Sequence, residues 1–503
     1  MTEQRHKIEY GDFQTPVELA NEVCSLLDQL DVRPRSVIEP TCGEGSFLEA
    51  AVRVFGTEAK YFGFDINPNY IQIVEQRMRT SHPSATVFLK CQDFFSFDWK
   101  QFLQCVASPI LFLGNPPWVT NSGLGVLGSE NLPHKSKQIR LTGLDALTGK
   151  ANFDISEWML LKLMEASASR DYVIAMLCKT SVARKALIRQ WRDGVSFHQC
   201  GLYRIDASRW FEAAVDACLF VARSGCSQPA ERSALIYNTL NVESPSSRFG
   251  MVDGQMVSDM DAHRDISHLK GVNCYRWRSG VKHDLVKVME FRVVNGLLQN
   301  GFGTEVDIES SCLYPLLKAT EISKGLHKPE RYVLITQHLI GENTERLRDT
   351  APRAYRYLEK YDALFTNRKS SIYRGQPKYS LFGVGSYTFA PFKVAISGLH
   401  KSLHFTLLTP QDGKPILVDD TCYFIGCFNR QESLLLHELL NSPISLRFLY
   451  SIIFSDSKRP VTAEALNRLD LKMVAENLGK VEELTAFLQS GAIDVNGQSR
   501  LCL

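Results

Sequence analysis

An amide, two prolines and an indole ring stand together at Asn115, Pro116, Pro117 and Trp118, directly after an apolar run over residues 110–113 that predicts a buried strand. Asn115 offers a side-chain carbonyl oxygen and an amide. Because proline has no N–H, the backbone here presents carbonyl oxygens at a restricted φ. An amide oxygen and a backbone carbonyl could accept both hydrogens of an amino group while Trp118 stacks on a flat ring, which suits methyl transfer to a base. The alternative is a turn that ends the strand, with a core Trp.

A glycine-containing turn between a predicted strand (residues 36–39) and a predicted helix (residues 48–54) is the second candidate site. Its sequence is P-T-C-G-E-G-S-F, over residues 40–47. A ligand can approach glycine backbone closely, and the following helix N-terminus favours a negative group. Asp65 ends the next predicted strand, about 20 residues further on, where a carboxylate meets ribose hydroxyls in dinucleotide folds. The glycine pattern is not G-x-G-x-x-G, which argues against a dinucleotide and leaves another adenosine-bearing ligand.

Two further sets of residues stand at the borders of predicted elements. Thr15 and Pro16 precede an amphipathic run over residues 17–30, which predicts a helix with Thr as N-cap and Pro at the first helical position. Asp93 follows a third predicted strand, residues 86–89, where it could accept a hydrogen bond from an adenine amino group while Phe94 packs on the ring. The alternative for Asp93 is a capping residue in a surface loop. Successive β–α steps with ligand-like residues at strand ends predict an α/β fold with an open parallel sheet.

These motifs, in this order, resemble those of the gamma class of adenine-specific DNA methyltransferases, which use S-adenosylmethionine. The motifs are Thr-Pro, P-T-C-G-E-G-S-F, F-D-I-N-P, Q-D-F and N-P-P-W, within roughly the first 220 residues. The resemblance implies a Rossmann-like methyltransferase sheet with helices on both faces. It also implies that the cofactor is held by Thr15, Pro16, Glu39, Pro40, Thr41, Gly43, Gly45, Phe47, Asp65, Ile66, Asp93 and Phe94.

The same resemblance implies a pocket for a flipped-out adenine. Asn115, Pro116, Pro117 and Trp118 would hold the base and its amino group, and Phe211 would pack on the ring opposite Trp118. Trp210 could take the role of Phe211, and a core position for Phe211 is the other alternative. The implied activity is site-specific methylation of adenine N6 in duplex DNA, as in restriction-modification.

Length and composition set the frame for these sites. The chain has 503 residues, enough for at least two domains, and its 44% hydrophobic and 22% charged residues are ordinary for a soluble globular protein. The net charge of +2 means that a nucleic acid would have to be met by a local basic surface. Thirteen scattered cysteines without a C-x-x-C pair indicate reduced thiols in a cytoplasmic protein, with no metal site. We find no signal sequence and no apolar run long enough to span a bilayer.

We predict a cofactor-binding catalytic domain over residues 1–225, a linker over residues 226–270 and an α+β target-recognition domain over residues 271–503. Further strands over residues 172–177, 202–205 and 217–222 would close the catalytic sheet. The linker is inferred from a Ser-, Pro- and Asp-rich composition with little apolar periodicity. Because the motifs begin near residue 11, we expect no nuclease fused upstream of them.

Basic residues mix with aromatic and hydroxyl side chains in three stretches of the second domain, residues 277–284, 368–374 and 457–460. Such side chains bind phosphates and read base edges. Each stretch alone is more often a solvated loop, and a basic segment over residues 121–152 carries the same alternative. Together behind a methyltransferase core, they favour a DNA-reading role. The candidate DNA contacts are Lys135, Lys150, Arg278, Lys282, Arg368, Lys369, Tyr373, Arg374, Lys458 and Arg459.

Other readings stay open. Methylation of another amino group, on RNA adenine, cytosine or a protein glutamine, uses a similar N-P-P-aromatic motif. An inactive DNA-binding module is a further alternative, and the intact Asn115, Asp65 and both glycines argue against it. The expected partner is double-stranded DNA, the expected state is a monomer, and a cognate restriction endonuclease would fit the resemblance.

Overall fold

The computed structural model of the 503-residue chain describes residues 14–119, 154–224 and 232–490. The chain divides into two compact units, Met1–Met260 and Asp261–Leu503. Across the described ranges, no helix combines the length and the apolar character that crossing a bilayer requires.

The first unit is built on one sheet, which has ten strands within the described residues. The strands are β1 (Ser36–Glu39), β2 (Lys60–Asp65), β3 (Thr86–Cys91), β4 (Ile110–Gly114), β5 (Tyr172–Lys179), β6 (Phe197–Ile205), β7 (Ala217–Ser224), β8 (Ser233–Tyr237), β9 (Ser247–Val252) and β10 (Gln255–Val257). The helices are α1 (Val17–Gln29), α2 (Ser46–Phe55), α3 (Pro68–Ser81), α4 (Trp99–Gln104), α5 (Ile155–Ala166), α6 (Thr180–Arg192) and α7 (Ala207–Phe211).

The strands lie in the order β10-β9-β8-β6-β7-β5-β4-β1-β2-β3. The strands from β3 to β5 in this order run parallel, and β7 is antiparallel between β5 and β6. Because β2 lies on one side of β1 and β4 on the other, the strand order reverses between β1 and β4. Open α/β sheets bind ligands at such a point, beyond the carboxyl ends of the strands. The predicted Rossmann-like α/β sheet is confirmed.

Burial along the strands follows their place in the sheet. Every residue of β1 and β4 is buried, as expected of central strands covered on both faces. The edge strand β3 has no fully buried residue. The core includes Leu111 and Leu113 from β4 and the apolar face of α1, with Leu19, Val23 and further buried residues.

Two predictions about this unit are wrong in detail. Helix α1 begins at Val17, with Pro16 at the N-cap position, so Thr15 is not the N-cap. Pro16 has φ −57° and ψ 141°, which is extended and not helical backbone, so Val17 is the first helical residue. Residues 226–270 are not a linker over most of their length, because β8 pairs with β6, and β9 and β10 extend the sheet beyond it. Backbone pairing to an existing strand compensates for their weak apolar pattern.

The second unit contains two sheets among its described residues, in the orders β11-β19-β16-β17 and β13-β12-β15-β14-β18. The predicted α+β class is confirmed. The strands are β11 (Arg278–Ser279), β12 (Glu290–Val294), β13 (Leu297–Asn300), β14 (Leu313–Leu317), β15 (Arg331–Leu334), β16 (Phe392–Ser397), β17 (Thr406–Leu408), β18 (Leu417–Val418) and β19 (Cys422–Cys427).

Helices of the second unit follow the same chain order, the first of them beginning at the boundary. They are α8 (Met260–Ile266), α9 (Val286–Met289), α10 (Ala319–Ser323), α11 (Leu347–Thr350), α12 (Pro352–Lys360), α13 (Asp362–Thr366), α14 (Arg430–Asn441), α15 (Pro443–Ile452), α16 (Ala463–Leu466), α17 (Leu471–Asn477) and α18 (Val481–Ser490). Short 3-10 turns occur at Ser267–Leu269, Ser310–Cys312, Thr344–Arg346, Ser371–Tyr373 and Ser386–Phe389.

Candidate functional site

The turn after β1 has the backbone geometry that its glycines predict. Gly43 and Gly45 take φ values of +48° and +81°, in the region that side chains disfavour. A Cβ added to Gly45 would lie 2.8 Å from Val74 Cγ2, and one added to Gly43 would lie 2.4 Å from Gln14 Oε1. Gly45 is therefore favoured by conformation and by space, and Gly43 mainly by conformation, because the end of the Gln14 side chain can shift. Gln14 also accepts a hydrogen bond from the Glu44 N–H at 2.9 Å, a support that the sequence analysis did not identify.

Asp65, at the end of β2, is bonded directly to this turn. Its carboxylate accepts hydrogen bonds from the Gly43 N–H at 2.9 Å and from the Asn67 N–H at 2.8 Å. The residue is buried, with 9% of its surface exposed. Because charge-assisted bonds to backbone N–H groups are strong, they fix the direction of the carboxylate. The structure thus brings Asp65 and the glycine turn together, as the sequence predicted, and the neighbouring Ile66 is exposed.

Glu39, the last residue of β1, connects the turn to the end of β4. Its carboxyl group accepts a hydrogen bond from the Leu48 N–H in the first turn of α2, at 3.2 Å. A Cβ added to Gly114 would lie 3.5 Å from Glu39 Cγ, which places the residue before Asn115 against Glu39. Burial raises the pKa of the Glu39 carboxyl well above its ordinary value; the Leu48 N–H opposes this shift and the Asp65 carboxylate adds to it.

The other residues predicted to hold the cofactor differ in their contacts and in their burial. Asp93 accepts hydrogen bonds from the Phe95 and Ser96 N–H groups at 3.1 and 3.0 Å, the geometry of the capping alternative. The Phe94 ring is buried, with its centroid 5.0 Å from that of Trp99. The segment before α1 contains Thr15 and Pro16, and the segment before α2 contains Pro40 and Thr41. Phe47 is a buried residue of α2.

The Asn115–Trp118 turn follows β4, whose neighbours are β1 and β5. Trp118 is buried with 9% exposed, and its Nε1 donates a hydrogen bond to the Leu177 carbonyl of β5 at 3.3 Å. The Trp118 and Phe211 rings lie edge to face, with centroids 5.1 Å apart and planes at 67°. Rings at this separation touch, so no planar group fits between them without movement. Asn115 and Pro117 are half-buried, and Pro116 is buried.

Phe211, rather than Trp210, meets the Trp118 ring. It ends the short helix α7, and the next residue, Glu212, adopts a left-handed φ of +54°. Trp210 instead lies under the Arg209 guanidinium, 4.4 Å from its ring centroid. Of the two aromatic residues that the sequence offered, the structure thus brings Phe211 against Trp118.

Sequence analysis missed Lys179, at the carboxyl end of β5. Its Nζ donates hydrogen bonds to the Trp118 carbonyl at 3.0 Å and to Asp154 Oδ2 at 2.6 Å. Its position one strand along from Asn115, at the same end of the parallel sheet, was the available signal. The partners lie 61 and 25 residues away in the chain, and no local pattern connects them.

In the second unit, two of the three basic-aromatic stretches meet at Asp420. Lys282 Nζ lies 3.3 Å and Arg459 Nη2 lies 3.8 Å from Asp420 Oδ2. The third stretch joins through Phe382, whose carbonyl accepts a bond from the Lys282 N–H and whose ring lies 5.4 Å from that of Tyr373. We call the side chains of residues 277–284, 368–374 and 457–460 around Asp420 the basic cluster. Sequence analysis did not identify Asp420.

Several cations of the basic cluster are engaged within the protein. Arg368 donates to the Ser380 and Lys378 carbonyls at 2.7 and 2.9 Å, and its guanidinium lies 3.5 Å from the Tyr373 ring centroid. The Arg278 guanidinium carbon lies 4.5 Å from the centroid of the Tyr387 ring. Burial lowers the pKa of Arg278, and the positive charge of the nearby Arg276 lowers it further.

The remaining predicted DNA contacts differ in exposure and in whether they are described. Burial by itself would lower the pKa of Lys282, but hydrogen bonds and charge from Asp284 and Asp420 raise it above its ordinary value. Lys369, Arg374, Lys458 and Arg459 are exposed. Lys135 and Lys150 lie outside the described residues.

No protein-family model matches the sequence. The chain is 40% identical over 476 residues to the type II methyltransferase M.NspV of Nostoc sp., a match that covers 94% of this chain and 98% of the relative. The type II methyltransferase M.VspI of Vibrio sp. is 23% identical over 171 residues, 34% of this chain and 38% of that protein.

Among solved structures, the type IIL restriction-modification enzyme MmeI in complex with DNA has a TM-score of 0.52 to this chain at 12% identity. The match covers 90% of this chain and 64% of MmeI, so this chain spans less than two thirds of that protein's length. At this identity the likeness is one of fold.

Proposed function

Because this chain belongs to the type II methyltransferases, we propose that it methylates the N6 amino group of an adenine at a specific site in duplex DNA. Its cofactor is S-adenosylmethionine. The observation that carries the proposal is the Asn115–Trp118 turn at the end of β4, beside the glycine turn and Asp65 of the neighbouring strands. The group proposed to bind the amine and the group proposed to bind the adenosine therefore both follow the carboxyl ends of strands in one sheet.

The residues around the glycine turn fit the cofactor. A Cβ at Gly43 or Gly45 would collide with Gln14 or Val74, so the turn presents bare backbone, and the carboxylate of Asp65, fixed by the Gly43 N–H, would accept the ribose hydroxyls. Thr15, Pro16, Glu39, Pro40, Thr41 and Phe47 would complete this part of the site, and Ile66, Asp93 and Phe94 would contact the adenosine. When bound, S-adenosylmethionine supplies an electrophilic methyl group on a sulfonium centre.

Asn115 and Pro116 would prepare the target amine. The N6 lone pair is delocalised into the adenine ring, which makes the amine a poor nucleophile. Acceptance of its two hydrogens by the Asn115 side-chain oxygen and the Pro116 carbonyl favours a localised lone pair at nitrogen. The ring of Pro116 restricts its φ, and the following Pro117 restricts its ψ to the extended region, so this carbonyl is preset in direction. The remaining contribution is alignment of two reactants in one pocket.

Trp118 and Phe211 would stack on the flipped base. Removing a base from the duplex costs a few kcal/mol, and stacking on aromatic side chains returns about 1–3 kcal/mol per base. The two rings touch edge to face at 5.1 Å, so one of them must move when a base enters.

The basic cluster of the second unit would bind the DNA. Phosphate contacts come from Lys, Arg, Ser and Tyr side chains, and the cluster concentrates these types around Asp420. The fold likeness to MmeI, whose structure contains DNA, supports this assignment. We expect the protein to act as a monomer on double-stranded DNA, alongside a cognate restriction endonuclease.

Replacing Lys369 and Arg374 together by alanine should weaken duplex binding and leave the affinity for S-adenosylmethionine unchanged. Both side chains are exposed. Each phosphate contact adds about 0.9 to the magnitude of the negative slope of log Kobs against log salt concentration. The double variant should therefore have a slope that is smaller in magnitude by up to about 1.8. Fluorescence anisotropy of a labelled duplex over a salt series measures it.

Arg368→Ala is the matched comparison within the same stretch. Arg368 donates to two backbone carbonyls, so its loss should lower the melting temperature. The slope of log Kobs against log salt concentration should stay close to that of the unmodified protein. An unchanged salt slope for the double variant of Lys369 and Arg374 would exclude this stretch from the DNA interface.

The proposed reaction is tested by its product. The protein is incubated with methyl-labelled S-adenosylmethionine and, in parallel, with duplex DNA, RNA and a protein extract. The DNA is then digested and its nucleosides are separated. We expect label in N6-methyldeoxyadenosine at one sequence context. Label in N4-methylcytosine, in RNA or in protein would contradict the adenine assignment, and no label in any of them would contradict catalysis.

A further inference from the structure

Lys179 joins two parts of the chain that meet at the Asn115–Trp118 turn. It is the last residue of β5, which pairs with β4 through Gly114 and Met176. Its Nζ donates to the Trp118 carbonyl at 3.0 Å and to Asp154 Oδ2 at 2.6 Å. Its side chain is 20% exposed and that of Asp154 is 6% exposed, so the pair is largely shielded from water. Such a pair, with additional hydrogen bonds, holds one geometry.

We propose that Lys179 is a positioning residue that holds Trp118 as the stationary wall of the base-binding slot. The inference rests on the proposed function, because it assumes that a base enters beside Trp118. It assigns Lys179 no contact with the base or the cofactor.

The turn depends on its carbonyl groups for anchoring. Pro116 and Pro117 lack N–H groups and cannot donate to the surrounding strands. The Trp118 carbonyl is held by Lys179, the next carbonyl, of Val119, accepts a bond from the Ile155 N–H at 2.9 Å, and the indole N–H is held by Leu177. Backbone and ring of Trp118 are thus fixed separately.

Phe211 is buried as Trp118 is, with 6% of its surface exposed, but it lies on a much shorter element, so we take it as the wall that moves. It ends a helix of five residues, where nucleation is costly and tertiary contacts must maintain the conformation. The residue that follows, Glu212, has left-handed backbone, which a non-glycine side chain disfavours. Entry of a base between two touching rings therefore displaces Phe211 and leaves Trp118 in position.

Asp154 provides the second half of the arrangement. Its Oδ1 accepts bonds from the Ser156 N–H at 3.2 Å and the Ser156 hydroxyl at 2.5 Å at the start of α5, while Oδ2 receives Lys179. The Asp154 carboxylate thereby connects the start of α5 to Lys179, the residue that bonds to the Asn115–Trp118 turn. Lys185 and Glu157, on the two helices that directly follow Lys179 and Asp154, offer a comparison, because they form an ion pair at 3.5 Å with a half-exposed lysine.

The test compares Lys179→Met with Lys179→Arg and Lys185→Met in the full chain. Single-turnover methylation is measured on a duplex with the mapped target site, together with the Kd values for S-adenosylmethionine and DNA. A 1 Å displacement near the reacting atoms can cost roughly a hundredfold in rate. We expect Lys179→Met to slow methylation by about 10- to 100-fold, with both Kd values unchanged. Lys179→Arg should recover most of the rate, and Lys185→Met should match the unmodified protein.

A second readout follows the stacking itself. 2-Aminopurine at the target position should fluoresce more strongly with Lys179→Met than with the unmodified protein, because stacking on Trp118 quenches it. Should Lys179→Met not fold, Asp154→Asn keeps a helix cap and weakens only the ion pair, and it should slow methylation several-fold.

An unchanged rate for Lys179→Met, or for Asp154→Asn in its place, would overturn the inference. So would equal losses for Lys179→Met and Lys185→Met, which would assign the effect to packing of α5 against α6. Failure of the proposed function looks different, because the unmodified protein would then yield no N6-methyldeoxyadenosine.

Discussion

Asn115→Ala should abolish most methyl transfer while the protein still binds S-adenosylmethionine and DNA. The alanine removes the side-chain oxygen that accepts a hydrogen of the target amine and leaves the β4 backbone in place. Loss of one preorganised hydrogen-bonding partner at a reacting group costs roughly 10²- to 10³-fold in rate, or about 2.7–4 kcal/mol. The turnover rate should fall by about that factor, and the KM for S-adenosylmethionine should stay unchanged.

The measurement is incorporation of labelled methyl groups into duplex DNA under single-turnover conditions. Asn477→Ala is a suitable control, because this asparagine lies exposed near the end of α17 in the other unit. A melting temperature close to that of the unmodified protein would show that Asn115→Ala is folded. Methylation by Asn115→Ala at a near-normal rate would remove Asn115 from the reaction.

The strands that position this asparagine could be predicted from the sequence because their patterns are local. Residues 110–113 are an apolar run that Gly114 ends, and residues 36–39 are a short run centred on Val37 and Ile38 that Pro40 ends. The structure has β4 over Ile110–Gly114 and β1 over Ser36–Glu39. A central strand that is covered on both faces is mainly apolar at successive positions, and few other short elements share that pattern. The carboxyl ends of such strands also identify the ligand edge of the sheet.

Strands β8 and β9 gave no such signal. They lie in the segment predicted as a linker, and they mix buried with partly exposed residues, serines among them. Strand β8 pairs with β6, where Leu235 lies opposite Gly201, 34 residues earlier in the chain, and β9 in turn pairs with β8. A propensity argument cannot see a partner at that separation.

The sequence also could not show whether a given side chain points into the protein or into solvent. Arg368 and Lys369 are neighbours of the same charge type, and both were predicted to contact DNA. Arg368 turns inward to two carbonyl groups, whereas Lys369 is exposed. Lys179 was missed for a related reason, because its function depends on a contact between strands rather than on a motif.

Asp65→Ala should raise the Kd for S-adenosylmethionine by roughly 10- to 100-fold, since hydrogen bonds to a charged group contribute about 1.5–3 kcal/mol each. The change acts twice. It removes the proposed ribose contact, and it releases the Gly43 and Asn67 N–H groups that the carboxylate holds at 2.9 and 2.8 Å. The glycine turn then loses the bond that joins it to β2. Isothermal titration calorimetry measures the Kd.

Two comparisons separate the cofactor contact from the turn in this prediction. Asp98→Ala removes a carboxylate that likewise accepts a backbone N–H, that of Gln101, at the start of α4, so it should leave the Kd unchanged. Asp65→Asn keeps an acceptor for one N–H group without the charge, so its Kd should be intermediate. If Asp65→Ala lowers the melting temperature and leaves the Kd unaltered, Asp65 supports the turn and does not bind the ribose. If neither quantity changes, the cofactor site lies elsewhere, because a carboxylate fixed at the switch point of the sheet would then contribute nothing to it.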